Sequence, residues 1–358
     1  MARTEPRRHP PQSSDPNSSP FDRTVLNRPQ RFRRFSIWWL FVGLFVVACG
    51  LNLSIGSVPI PLDEILKIVL GGEPETATWK TIVLTFRLPK LLTAIVAGTA
   101  LSVAGLQMQT LFGNPLAGPF VLGISSGASL GVAIAVLVGS AGNWGRVLSA
   151  SSGAAVVLGL IVIVAQQIRN RETLLLLGLM FGYAANALVT ILLHFSSSER
   201  IQSYITWTFG SFGGVTWERM SVFGVTVFSG LGVAYLLAKP LNLLLLGEAS
   251  ARSLGLRVRE LQFWTIASAA VLAGAVTAFC GPIAFLGVAV PHLSRALLKT
   301  SDTRHLLPAV TLLGATLAVL SDWVAQVPGT QTVLPLNAVT AMLGTPVVTH
   351  AILQRHRR

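Results

Sequence analysis

The stretch LLTAIVAGTALSVAGLQMQTLF, residues 91–112, runs its whole length without a charged side chain. As a helix it would rise about 33 Å at 1.5 Å per residue, enough to cross the roughly 30 Å hydrocarbon core of a bilayer. Working outward, apolar runs of the same kind recur at about 36–55, 119–139, 147–168, 174–195, 220–238, 262–279, 283–298, 306–326 and 334–353, making ten candidate spans. The 358-residue chain is 52% hydrophobic and 11% charged, with a mean hydropathy of +0.64. A soluble protein carries about 25% charge, so a soluble enzyme is excluded. The expected fold class is an all-α membrane protein of about ten transmembrane helices, with both termini cytoplasmic.

The formal net charge is +13, from 27 Lys+Arg against 14 Asp+Glu. In a soluble chain that excess would suggest nucleic acid, but in a membrane protein the first question is sidedness. Two spans, 262–279 and 283–298, are short and separated by little more than Gly281 and Pro282, so a single broken helix would reduce the count to nine. With ten spans and both termini inside, 20 of the 27 basic residues fall on the inner side, the bias expected of inner segments. Nine spans would turn the basic end Arg355–Arg358 outward, and ten is preferred.

Residues 1–34 hold six prolines, eight arginines and no apolar run. They are expected to form a disordered basic cytoplasmic tail, ahead of a transmembrane domain at 35–358. The first apolar stretch comes late and is long enough to span, unlike a cleaved signal peptide. Cys49 and Cys280 lie in or beside apolar segments with no CxxC or histidine-rich company, so neither a disulfide scaffold nor a metal site is indicated.

Among the seven basic residues left outside, Lys80, Arg87 and Lys90 crowd the end of one outer loop just before the second span. Two readings are open: snorkelling anchors at a helix end, or a docking patch for an acidic partner outside the membrane. Small residues four apart mark three helix faces, Gly98 with Ser102, Gly127 with Gly131, and Ser149 with Gly153, where backbones can approach closely. Ionisable residues inside the spans are few, chiefly His194, His292 and Asp322. His292 and Asp322 are read as buried, hydrogen-bonded structural residues. A proton- or sodium-driven transporter needs carboxylates at mid-membrane, so a secondary transporter is disfavoured.

The inner segment 239–260 reads KPLNLLLLGEASARSLGLRVRE. Glu248 to Leu254 can form a two-turn helix, with the acid at its start and Arg252 near its end both suiting the helix dipole. Gly255 is a natural left-handed stop. Apolar Leu243 to Leu246 and Leu254 would face cytosol here, a reason to expect a protein surface against them. An amphipathic helix lying on the membrane is the alternative.

Several motifs are familiar in combination: Arg87-Leu-Pro-Lys-Leu-Leu; Leu111-Phe-Gly-Asn-Pro-Leu-Ala-Gly-Pro followed by Leu122-Gly-Ile-Ser-Ser-Gly-Ala-Ser; Leu246-Gly-Glu-Ala-Ser-Ala-Arg-Ser-Leu-Gly; Pro291-His-Leu-Ser-Arg; and Leu334-Pro-Leu-Asn-Ala-Val-Thr-Ala-Met-Leu-Gly-Thr-Pro. Occurring in this order, they make the chain resemble the permease subunits of bacterial ABC importers for iron-siderophore complexes, haem and cobalamin. The likeness covers nearly everything after the tail.

The resemblance implies a multi-pass protein of the inner (cytoplasmic) membrane, paired with a second copy of itself and with two cytoplasmic ATPase subunits. An external substrate-binding protein would deliver the cargo, with ferric siderophore expected first and cobalamin or haem as alternatives. The chain itself would be no enzyme and bind no cofactor or metal. ATP would be used by the partner, in keeping with a sequence that has no phosphate-cradling Gly-rich loop ending in Gly-Lys-Ser/Thr. By the same resemblance Glu248, Ala249, Ser250, Ala251, Arg252, Leu254 and Gly255 belong to the ATPase-coupling element. Arg87 and Lys90 match two basic positions that pair with carboxylates on the binding protein.

Four departures from the family pattern fall on the outer side. Lys90 stands where arginine is usual, Gln326 where a third basic residue is expected, Val333 where an acid is usual, and Asn337 where glycine is usual. Gly113 replaces a residue often charged in relatives. Between the fourth and fifth spans, where some relatives narrow the cytoplasmic gate with small hydroxyl residues, this chain has Arg171 and Glu172, which become the gate candidates.

Overall fold

The computed structural model describes residues 28–56, 58–139, 142–167, 171–326 and 333–356. Its α-helices are α1 (Arg28–Ser54), α2 (Leu62–Val69), α3 (Ala77–Thr81), α4 (Leu88–Phe112), α5 (Ile124–Ala133), α6 (Asn143–Gln167), α7 (Arg171–His194), α8 (Ser198–Thr208), α9 (Trp217–Leu236), α10 (Ala238–Leu244), α11 (Glu248–Ser253), α12 (Val258–Cys280), α13 (Leu286–Leu298), α14 (Thr303–Ala325) and α15 (Leu336–His356). The chain divides after Leu40 into an N-terminal unit, described from residue 28 on and helical there, and a second unit holding everything else.

An apolar helix stands at each of the ten places where hydropathy put a span. Seven are long enough to cross a bilayer, and three, at Ile124–Val138, Leu286–Leu298 and Leu336–Thr349, are shorter. The all-α membrane class expected from the sequence is the class observed.

Most boundaries shift by a few residues, the third span starting at Ile124 rather than 119, and three differences bear on the argument. Helix α1 begins at Arg28, so residues 28–34 are helical rather than tail; Pro29 at its first turn suits a helix start, and the long apolar helix behind it propagates the ladder. The second span does not begin at 91, because helix runs unbroken from Ala77 to Phe112. A π-helical turn at Ile82–Arg87 lies just ahead of Pro89, where the ladder must absorb a missing N–H. Arg87 and Lys90 therefore sit on a helix, not in a loop.

The third difference is α13. The eighth span was expected from 283, but the helix begins only at Leu286 and has 13 residues. Gly281 and Phe285 both adopt positive φ, which breaks the chain between α12 and α13. The thirteen residues of α13 rise about 20 Å, short of a roughly 30 Å hydrocarbon core, so the non-helical residues before it lie at membrane depth. Irregular backbone at membrane depth must be answered by protein. Here the Ala284 N–H donates to Asn337 Oδ1 at 3.0 Å, and the Ser211 N–H donates to the Cys280 carbonyl at 2.8 Å.

Helix α4 is the centre of the second unit, packing against α9, α12, α13 and α14. Its most apolar window is 83% buried, against 28% for the windows of α6 and α7. Small residues set the approach: a methyl added at Gly98 would lie 2.3 Å from the Gly314 carbonyl oxygen, and one at Gly105 would lie 1.7 Å from that of Gly287. The other two small-residue pairs meet each other. Gly127 of α5 faces Gly153 of α6, and Gly131 faces Ser149, so the two motifs are halves of one contact.

Candidate functional site

The end of the second unit assigned to the outside by charge is held by a polar cluster between α4 and α14. Asp322, 3% exposed, accepts from Lys90 Nζ at 2.9 Å on one oxygen. On the other it accepts from Asn52 Nδ2 and from Gln326 Nε2, each at 2.9 Å. Asn52 also donates to the Val319 carbonyl at 3.3 Å. A carboxylate taken out of water is tolerable only with such a set of donors, and here a cation and two amides supply it. Lys90, expected as a docking cation, is thus paired with an acid of its own chain. Gln326, where a third basic residue was expected, shares the same acid.

Arg87, one turn earlier, has different company. Its guanidinium donates to the backbone carbonyls of Leu53, Ser54 and Val58, which lie at and beyond the end of α1. Four carbonyls at any helix end lack intrahelical partners, and an arginine fork is well shaped to take them. Among the described residues no carboxylate lies within ion-pair distance of Arg87, so its N–H groups bind carbonyl dipoles while its charge stays unpaired there. Lys80 pairs with Glu73 at 2.8 Å on the exposed surface. Nearby Glu64 is buried, its carboxyl held below the ordinary carboxylate range by the hydrogen bond from Lys67, then by the Glu75 backbone N–H.

At the opposite end lies α10–α11. The sequence expected a short helix over Glu248–Leu254; α11 spans Glu248–Ser253, with Leu254 capping it and Gly255 left-handed at φ +85°. Arg252 pairs with Glu248 one turn back. Ala251 is buried and anchors the helix, while Ala249 and Ser250 are exposed. Leu245, Leu246 and Leu254 are exposed, Leu246 and Leu254 by about 60%. Leu244 is buried instead, because it continues the inward stripe Ala238–Leu241–Leu244 of α10.

Residues 44–354 match the FecCD transport family. The chain belongs to that family. It is 37% identical over 340 residues to the vitamin B12 import system permease protein BtuC of Escherichia coli O6:H1, covering 93% of this chain and all of the relative. The BtuC of Shigella boydii serotype 18 is 35% identical over the same coverage. A solved inward-facing structure assigned to the metal-chelate type of ABC transporter superposes with a TM-score of 0.80 at 27% identity, over 89% of this chain and 99% of that one. PsaBC of Streptococcus pneumoniae, solved with an Fab, shares the fold at a TM-score of 0.56 and 19% identity, over 80% of this chain and 95% of that one. The protein is a multi-pass membrane permease subunit of the FecCD/BtuC type of ABC importer.

For a FecCD permease some of the unusual residues acquire local reasons. Asn337 accepts the Ala284 N–H with its side chain and donates its own N–H to the Phe209 carbonyl at 3.0 Å, tying α15 to the break before α13. Gly113 ends α4 in the left-handed region at φ +62°, a position glycine takes without strain. Val333 is exposed. Arg171 begins α7, but the side chains of Arg171 and Glu172 lie outside the described residues, as do residues 1–27 of the expected tail. Sequence reasoning missed Asn52 as a partner of Asp322. A lone asparagine near the end of the first span was the available signal.

Proposed function

We propose that this chain is the membrane pathway of an ATP-driven importer in which separate ATPase subunits act on α11 and an external binding protein delivers the cargo. The observation that carries it is α11 itself: a short charged helix with exposed leucines at both ends, on a chain lacking a phosphate-binding loop of its own. Exposed leucines on a cytoplasmic helix call for a protein partner. Glu248, Ala249, Ser250, Arg252 and Leu254 would meet the ATPase, with Ala251 and Gly255 shaping the helix. A second copy of the chain completes the pathway, and the bacterial inner membrane is its place. Docking of the binding protein falls to Arg87, which pairs with no carboxylate among the described residues, rather than to Lys90, which pairs with Asp322.

The cargo proposed first is cobalamin, as the names of the relatives that align over their full length support. Ferric siderophore, expected from the sequence motifs, is the second reading, supported by the likeness to a metal-chelate type of transporter. The test is uptake into proteoliposomes holding the permease and its ATPase, with the binding protein supplied outside. Cobalamin uptake that requires ATP supports the first reading, and ferric-siderophore uptake alone supports the second. Uptake of either without the ATPase would refute the common scheme.

A further inference from the structure

Helix α14 begins at a joint made with α10. Asp302 is its N-cap, the carboxylate accepting from the Arg304 N–H at 2.9 Å. The same oxygen accepts from Asn242 Nδ2 of α10 at 2.5 Å, and Asn242 Oδ1 in turn accepts the Thr303 N–H at 2.7 Å. Asn242 thus grips both the cap and one orphan N–H of α14, a reciprocal pair spanning 60 residues of sequence. His305 Nδ1 lies 3.0 Å from the other Asp302 oxygen. Thr303 is buried beside the joint, and α10 turns its apolar stripe, Ala238, Leu241 and Leu244, inward.

This joint sits between two parts already described. Only Leu245–Gly247 separate α10 from α11, so α10 is the nearest element through which a push on α11 can pass. From Thr303 onward α14 lies along α4 through Gly314 against Gly98 and ends at the Asp322–Lys90 pair. We propose that Asn242 and Asp302 are positioning residues for ATP-coupled transport: they hold α10–α11 rigidly to the foot of α14, so that movement of α11 is delivered to the helix pair that closes the outer end. The proposal rests on the assignment of α11 as the ATPase-facing element. The joint differs from that element's exposed face because its bonds run within this chain, from Asn242 to Asp302 and Thr303.

The chemistry allows a test by charge. Asn242→Asp sets a carboxylate against the Asp302 carboxylate and removes a donor, whereas Asp302→Asn keeps a carbonyl oxygen for both Asn242 and the Arg304 N–H. In reconstituted complex, N242D is expected to lower cargo moved per ATP hydrolysed about tenfold, with ATPase association and hydrolysis retained, while D302N stays within about twofold of wild type. The double variant N242D/D302N removes the like-charge contact and is expected to recover most of the loss. Should N242D fail to assemble, N242A, which leaves the Thr303 N–H unpaired without repulsion, is measured instead and is expected to show the same uncoupling. Wild-type transport per ATP in whichever of these assembles, or N242D/D302N no better than N242D, overturns the joint. A wild-type complex whose transport ignores ATP would overturn the assignment of α11 instead.

Discussion

The outer end of α14 and the inner helix α11 use their charges in opposite ways. At the outer end every donor around Asp322 points inward, with Lys90, Asn52 and Gln326 consumed by one buried carboxylate, while Arg87 is anchored on three carbonyls that leave its charge uncancelled. At the inner end α11 shows its ion pair and its leucines to the surroundings, and only Ala251 is buried. The difference teaches that basic residues on the same side of a membrane need not share a role. Buried polar groups are retained where the fold depends on them, and exposed apolar ones where another protein completes the surface.

Breaking the outer cluster should therefore cost stability first. Asp322→Ala strands Lys90 and is expected to cost about 3 kcal/mol, seen as a lower melting temperature in detergent, with much of it recovered in Lys90→Met/Asp322→Leu. Asn337→Ala leaves the Ala284 N–H unanswered beside α13 and should cost about 1–3 kcal/mol by the same measurement. Arg87→Gln keeps one hydrogen-bonding head but loses the charge. It should cost about 1 kcal/mol and also weaken stimulation by the binding protein, an effect that shrinks in wild type as salt rises.

The inner end should respond the other way. Leu254→Asp is expected to change stability by no more than about 0.5 kcal/mol, because the side chain is exposed, yet to abolish co-purification with the ATPase. Glu248→Gln removes one partner of an exposed pair and should alter stability by less than about 1 kcal/mol. Either inner variant unfolding the protein, or Asp322→Ala leaving stability unchanged, would break the comparison.

Much of this was legible in the residues. Uncharged runs such as 91–112 fix helix placement because nothing else satisfies backbone in lipid, and α11 was readable from an acid, an arginine and a glycine in the right order. What escaped notice was long-range pairing. Lys90 and Asp322 are more than 200 positions apart in sequence, and Asn242 meets Asp302 only once the fold brings α14 beside α10. The late start of α13 followed from Phe285 adopting positive φ, a conformation no local pattern announces for a bulky residue. Small-residue spacing identified the close contacts but not which face met which.

The most direct test of the account is transport by purified permease, ATPase and binding protein in proteoliposomes, with and without Leu254→Asp. The account predicts cargo uptake that needs hydrolysable ATP, persists when ion gradients are collapsed, and disappears in the variant. Uptake that survives without ATP and falls with an uncoupler would contradict it.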